Sequence, residues 1–200
     1  QGMRYLQRDQ RRDLILRAAI QLALAEGLSA LTARRVAQAA AVSTGQVHHH
    51  FQSISHLRAA VFLDLMQQLT EIESHIKTQD HFSRLMLELG AEDIQQTQAY
   101  LSLWNEAEVL MQQDIELKQA YKINMQQWHD LVVTVIDAGI EAQEFKLKPN
   151  HQVTEVAWRL MAFVCGLEGM YQLKLFCGNA EDFKYQTEVM IQIELGAVRN

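Results

Sequence analysis

Four side chains within six residues, Thr44, Gln46, His48 and His49, are hydrogen-bond donors and acceptors of the kind that reach phosphates and the edges of bases. Gly45 among them lets a backbone approach closely. This is the chemistry of recognition, and bond-making chemistry has no comparable motif. The chain has no H-E-x-x-H, no C-x-x-C, no G-x-x-x-x-G-K-[ST] and no G-x-S-x-G. Carboxylate-bridged metal pairs in helical bundles need E-x-x-H on two helices, and no histidine here has a glutamate three residues before it. His48, His49 and His50 are consecutive, so on a helix they point about 100° apart and cannot converge on one metal ion. Cys165 has no activating neighbour in sequence and reads as a structural thiol. No enzyme, metal site or cofactor is expected.

Two short helices and a turn must position those side chains. Thr32 is placed to accept from the free N–H groups of a first turn, and Val36, Ala37 and Ala40 then share one inward face. Ala39, Ala40 and Ala41 are small enough for a second helix to cross closely, with Val42 as an apolar plug at the corner. Ser43 caps the next helix, in which Val47 and Phe51 face inward and Thr44, Gln46, His48 and His49 are left on the polar side. Upstream, Ile15, Ala18, Ala19 and Leu22 make an i, i+3, i+4, i+7 stripe ending at Glu26-Gly27. Downstream, Ser55 opens a segment with Leu57, Val61, Leu65 and Leu69 four apart. The spacing predicts a three-helix head with a helix-turn-helix, residues 1–54, feeding a long connecting helix into a helical body, residues 55–200.

Residues 11–66 resemble the DNA-binding domain of tetracycline-repressor-type (TetR-family) regulators. The resemblance is carried by RRDLILRAAIQLALAEG, then LTARRVAQAAAVSTGQVHHHF, then the FxSxxxLxxAV pattern of Phe51, Ser53, Leu57, Ala60 and Val61. It implies that Thr32, Arg34, Arg35, Ser43, Thr44, Gly45, Gln46, His48, His49 and His50 lie at or near a DNA surface. Two positions depart from the family pattern. The aromatic pair usual before HF is His48 and His49, and the usual lysine after FxS is Ile54, so a phosphate anchor is missing or is replaced by Ser53, Ser55 or His56.

Charge segregation points the same way without the family. Residues 1–58 hold eight arginines, no lysine and three acids, a net +5, whereas the remainder carries ten basic and 21 acidic residues, a net −11. One end attracts phosphate and the other repels it. Arg4, Arg8, Arg11 and Arg12 are expected in a loose N-terminal arm, and Gln1-Gly2 before Met3 reads as a cleavage scar. With 48% hydrophobic and 21% charged residues, one proline and nine glycines in 200 residues, the composition is that of a soluble, nearly all-helical protein. Cys165 and Cys177 are expected as reduced thiols in a cytoplasm, and the uncharged run 160–167 is far too short for a bilayer.

In the body the periodicity predicts helices over about 55–77, 81–89, 94–113, 115–143, 153–176 and 181–198. The helix from 115 carries the buried stripe Tyr121, Met125, Trp128, Val132, Val135 and Gly139. In the helix from 153, Val153, Val156, Leu160, Val164, Leu167 and Tyr171 fall on one side and Trp158, Met161 and Cys165 on an adjacent one. A helix apolar over most of its circumference must be sandwiched, which favours a homodimer through the last two helices and two heads roughly 34–36 Å apart on a near-palindromic double-stranded DNA operator. Tyr100, Trp104, Met111, Tyr121, Met125, Trp128, Trp158 and Met161, with Phe163, either line one effector cavity or fill the core. Glu108, Cys165 and Glu168, with Asn105, Glu106 and His129, are the polar groups nearby, and an acidic anchor among aromatics favours a cationic or amphipathic small molecule. The expected function is a ligand-responsive repressor released from its operator by that molecule. The alternative is a helical protein-interaction or adaptor module without sequence-specific DNA binding.

Overall fold

A computed structural model describes residues 2–197, with side chains from residue 7 onward. Among these residues all regular structure is helical. The helices form two compact units, Gln1–Ile72 with Gln96–Asn124 and Glu73–Gln95 with Met125–Asn200. The expected three-helix head lies within the first unit. Gln1 and Val198 lie outside the described residues, and the last helix ends before its expected end, at Leu195.

The first unit opens with α1, Gly2–Glu26. Of its expected stripe Ile15 and Ala19 are fully buried, whereas Ala18 and Leu22 are half-buried and Ile20 and Ala23 are inserted instead. The expected loose arm is instead the start of this helix, since no residue from 2 to 14 is a proline or a second glycine that would break it. Gly27 ends it at φ 94°, a conformation open to glycine, and a Cβ there would lie 2.8 Å from a Glu106 carboxylate oxygen. A short turn of 3-10 helix, Leu28–Ala30, leads to α2, Ala33–Ala40, and α3, Thr44–His50. The connecting helix α4 runs Ile54–Ser74 and buries Leu57, Val61, Phe62, Leu65 and Met66. Helix α6, Gln98–Leu110, starts later than the periodicity predicts because Gln95–Thr97 is a tighter 3-10 turn. The first ten residues of α7, Ile115–Glu141, complete the unit.

In the second unit α5, His81–Glu88, is capped by Asp80, whose side chain accepts from Ser83 N–H at 2.7 Å. The Glu144 carboxylate adds acceptors for the backbone N–H groups of His81 and Phe82, at 2.8 and 3.3 Å, where a helix start favours negative charge. The rest of α7 places Val132 and Ile136 in a core with Phe82, Leu85, Met86, Val156, Leu160, Met161, Val164, Ile191 and Leu195. Gly139 is required there by contact, since a Cβ would stand 2.2 Å from the Phe145 ring. Helix α8, Val153–Gln172, stops four residues short of the expected end, where Lys174 and Phe176 take positive φ and Leu175 N–H turns back to the Met170 carbonyl at 2.9 Å. Helix α9, Ala180–Leu195, is capped by Asn179 and ends at Gly196 with φ 57°. Arg159 binds both oxygens of buried Glu194, at 3.0 and 2.7 Å, and these bonds hold that carboxyl below its usual range.

Candidate nucleic-acid interface

The helix-turn-helix is built from local hydrogen bonds. Thr32 Oγ1 accepts from Arg35 N–H at 3.2 Å, and Ser43 Oγ accepts from Gln46 N–H at 3.2 Å, so both predicted caps form. Between them Ala41 adopts the left-handed conformation at φ 54°, and Val42 N–H returns to the Ala37 carbonyl at 3.0 Å. This is a Schellman-type closure with alanine where glycine is usual. Val36, Ala37, Ala40, Val47 and Phe51 are buried, which fixes the rotation of α2 and α3. By the same rotation Thr44, Gly45, His48 and His49 are exposed, and Gln46 and His50 are half-buried. The outward strip of α3 therefore consists of hydrogen-bonding groups around one glycine.

The flanking charges are less uniform than the composition implies. Arg34 and Arg35 are exposed, but Arg35 Nη2 lies 2.7 Å from both oxygens of Glu26. Arg58, counted with the positive end, is turned inward. Its guanidinium bonds Asp114 at 2.6 Å and the carbonyls of Leu28 and Leu31 at 3.4 and 3.2 Å. Burial pushes the Asp114 carboxyl upward, but hydrogen bonds from Ser55, Leu117 N–H and Arg58, with the Arg58 charge, outweigh it and hold the group below its usual range. Ser55 is thus committed to Asp114. Ser53 caps α4 by accepting from His56 N–H at 3.2 Å, and its hydroxyl meets His56 Nδ1 at 2.8 Å. The proton affinity of His50 is lowered by burial, then by the neighbouring charges of His49, Arg8, Arg11 and Arg12.

Glu106 braces the head from α6. Its two oxygens accept from Leu28 and Ser29 N–H, each at 2.8 Å, across more than seventy residues of sequence. Glu106 and Arg58–Asp114 therefore hold the turn between α1 and α2 to α6 and to the start of α7. Nothing in the helical periodicity marks these pairings. They depend on which loop ends meet.

The aromatic candidates divide between the units. In the first, Tyr121 stacks on Phe62 with ring centroids 5.9 Å apart and lies 5.4 Å from Trp104. Trp104 Nε1–H donates to Asn124 at 3.0 Å and Tyr100 OH to Gln68 at 3.1 Å, while Met111 is half-buried and Glu108 exposed. In the second, Met125 and Trp128 pack on the core that contains Met161, and Trp128 Nε1–H donates to the Glu88 carbonyl at 2.7 Å. Trp158 is 42% exposed and stacks on buried His129 at 4.1 Å. His129 Nε2 donates to the Thr154 carbonyl at 2.9 Å. Cys165 is half-buried, and Glu168 accepts from Gln172 at 2.8 Å. Two acids not singled out in the sequence stand out here. Burial, then the charge of Glu88, pushes the Glu73 carboxyl up to about 8 against the opposing charge of Arg84, and burial also raises Glu88. Among the described residues no group of three or more histidine, cysteine or acidic side chains is placed to hold a metal ion, and no helix is long and apolar enough to cross a membrane.

Comparison with known proteins agrees with this architecture. Residues 15–61 match the family model of bacterial regulatory proteins of the tetR family. No curated protein matches the sequence. A candidate TetR-family transcriptional regulator from Rhodococcus sp. is 21% identical and superposes with a TM-score of 0.71, over 94% of this chain and 99% of that one. A TetR-family regulator from Cytophaga hutchinsonii is 16% identical with a TM-score of 0.72, over 97% and 98%. The multidrug binding protein EbrR, solved with proflavin, is 17% identical with a TM-score of 0.66, over 92% and 99%. The TetR-family resemblance of the N-terminal segment thus holds in the family model, and the whole chain has the TetR fold, a helix-turn-helix domain followed by a helical domain.

Proposed function

We propose that this protein is a ligand-responsive transcriptional repressor that reads a near-palindromic operator through α3. The observation that carries this reading is the polarity of α3: Val47 and Phe51 anchor it inward, while Thr44, His48 and His49 are exposed with Gln46 half-buried beside them. Thr32, Arg34, Ser43, Gly45 and His50 complete the surface, and Arg35 joins it when phosphate competes with Glu26. Such a protein acts in the cytoplasm, where the chromosome is.

Two copies are needed for a palindrome, and α8 supplies a face for the partner. Trp158, Ala162, Gly166, Gly169 and Leu173 lie three or four apart and are all exposed, and a Cβ on either glycine would meet nothing. Small residues in an apolar stripe let helices approach closely, and Tyr185 and Ile193 extend the exposed apolar surface on α9. An effector enters the helical domain, with Trp128 and its aromatic and methionine neighbours as the anchors, and selects the conformation that separates the heads wrongly for DNA. Glu106 and the Arg58–Asp114 pair tie the turn between α1 and α2 to α6 and the start of α7. By linkage DNA weakens effector binding by the same factor.

The test is fluorescence anisotropy of the full chain on duplexes drawn from beside its own gene and on scrambled duplexes of equal length. Preference for one duplex, with affinity falling steeply as salt rises, is the expected result. Equal affinity for scrambled DNA overturns the proposal in favour of an adaptor role. Trp128→Ala is expected to retain DNA binding and lose release by the effector.

A further inference from the structure

Helix α1 is longer than its own core requires. Ile15, Ala19 and Ala23 insert into the head, but the helix continues toward its N-terminus for more than three further turns, back to Gly2. On an α-helix positions 8, 11 and 12 fall toward the face of 15 and 19, being seven, four and three residues before Ile15, with Arg11 and Arg12 three and four residues after Arg8. The face that is apolar and buried from Ile15 onward is therefore continued by Arg8, Arg11 and Arg12, all of them exposed. Like charges three and four residues apart repel, as Arg8 does with Arg11 and Arg12, and Asp9, three residues before Arg12, borders the stripe. None of the three arginines has a carboxylate within ion-pair distance among the described residues, whereas Arg35, Arg58, Arg84 and Arg159 each have one.

The stripe also points at the reading helix. The Arg12 guanidinium lies 4.7 Å over the ring of Phe51, the residue that caps α3. All three arginine charges act on His50, in the last turn of α3. A row of exposed guanidinium groups beside the exit of a helix built to meet DNA is complementary to a phosphate backbone, and guanidinium offers paired N–H donors to phosphate oxygens. We propose that the N-terminal overhang of α1 is a second DNA-binding surface, on which Arg8, Arg11 and Arg12 hold backbone phosphates flanking the bases that α3 reads.

This rests on the DNA-binding reading above and adds residues to it. Phosphate contacts strengthen binding to every sequence alike, whereas base contacts discriminate. The experiment compares the full chain with an Arg8→Gln/Arg11→Gln variant, which leaves the Arg12–Phe51 contact in place, on the preferred duplex across a salt series. The slope of log K against log salt is expected to shrink by about 0.9 for each phosphate no longer neutralised, and affinity at about 0.1 M salt to fall by up to about eightfold per phosphate. The ratio of preferred to scrambled duplex stays unchanged, and Arg8→Lys/Arg11→Lys recovers most of the slope. If the parent chain prefers its duplex but the glutamine variant matches it in slope and affinity, the overhang is not a DNA surface and only this inference falls. Loss of binding to anionic lipid vesicles with DNA binding intact likewise overturns it. If the parent chain does not distinguish its duplex from scrambled DNA, the underlying function is at fault instead.

Discussion

Replacing Glu73 by glutamine tests whether the second unit stores a proton. Glu73 lies near the end of α4 and its carboxyl, raised from 4.5 to about 8 by burial and by Glu88, is protonated in the folded chain at neutral pH. In the unfolded chain it ionises near 4.5. A folded value above the unfolded one means that stability is complete below about pH 4.5, declines as pH rises, and stops declining above about pH 8. Each pH unit in that window removes about 1.4 kcal/mol for one extra proton held by the folded state, so the span from pH 5 to pH 7 is worth about 3 kcal/mol at most. Solvent at the partly exposed group trims this to about 2 kcal/mol. Glutamine keeps the shape and cannot ionise. Urea unfolding followed by circular dichroism should give wild type and Glu73→Gln nearly equal stability at pH 4.5–5, with the variant about 2 kcal/mol ahead at pH 7–8. A residual decline from Glu88, whose carboxyl is raised in the same direction, remains in both proteins. A difference independent of pH would refute the reasoning, because it would place the Glu73 titration at its ordinary position.

Gln46→Ala should cost about 1–3 kcal/mol of discrimination at one operator position in competition binding, and an unchanged preference removes Gln46 from the bases. Glu26→Gln frees Arg35 and should strengthen binding to all duplexes by up to about fivefold, the scale of an exposed ion pair, while weaker binding would mean that Glu26 orients Arg35 productively. His50 is held neutral at neutral pH by burial and by His49, Arg8, Arg11 and Arg12, and DNA phosphate favours its charged form. Anisotropy titrations should therefore show affinity rising as pH falls below 6.5, with a smaller rise in His50→Gln. Gly139→Ala drives a methyl into the Phe145 ring and should destabilise the second unit by about 1–3 kcal/mol in thermal unfolding, with an unchanged midpoint counting against the contact.

The reading strip was legible in the sequence because everything that builds it is local. Thr32 and Ser43 cap their helices through bonds three residues long, and Val47 and Phe51 are one helical turn apart, so spacing decides which side of Gln46 faces out. The stripes of α7 and α8 were legible for the same reason, a period that survives without knowledge of the partner. The end of α8 was not, because Lys174 and Phe176 reach positive φ under a turn that their residue types do not announce. Nor was the arm, since a string of arginines is compatible with coil or helix.

What the chain's order of residues determined by itself was where helices lie, which faces they bury and that positive charge gathers at one end, since these follow from bonds and contacts within a few residues. Only the tertiary structure decided which charges remain available. It placed Arg35 against Glu26 and Arg58 against Asp114, bonded Glu106 to Leu28 and Ser29, and brought Glu73 near Glu88. Those outcomes depend on distances between segments far apart in the chain, and an ionisable group takes its partner, its solvation and its proton affinity from whatever folding brings to it.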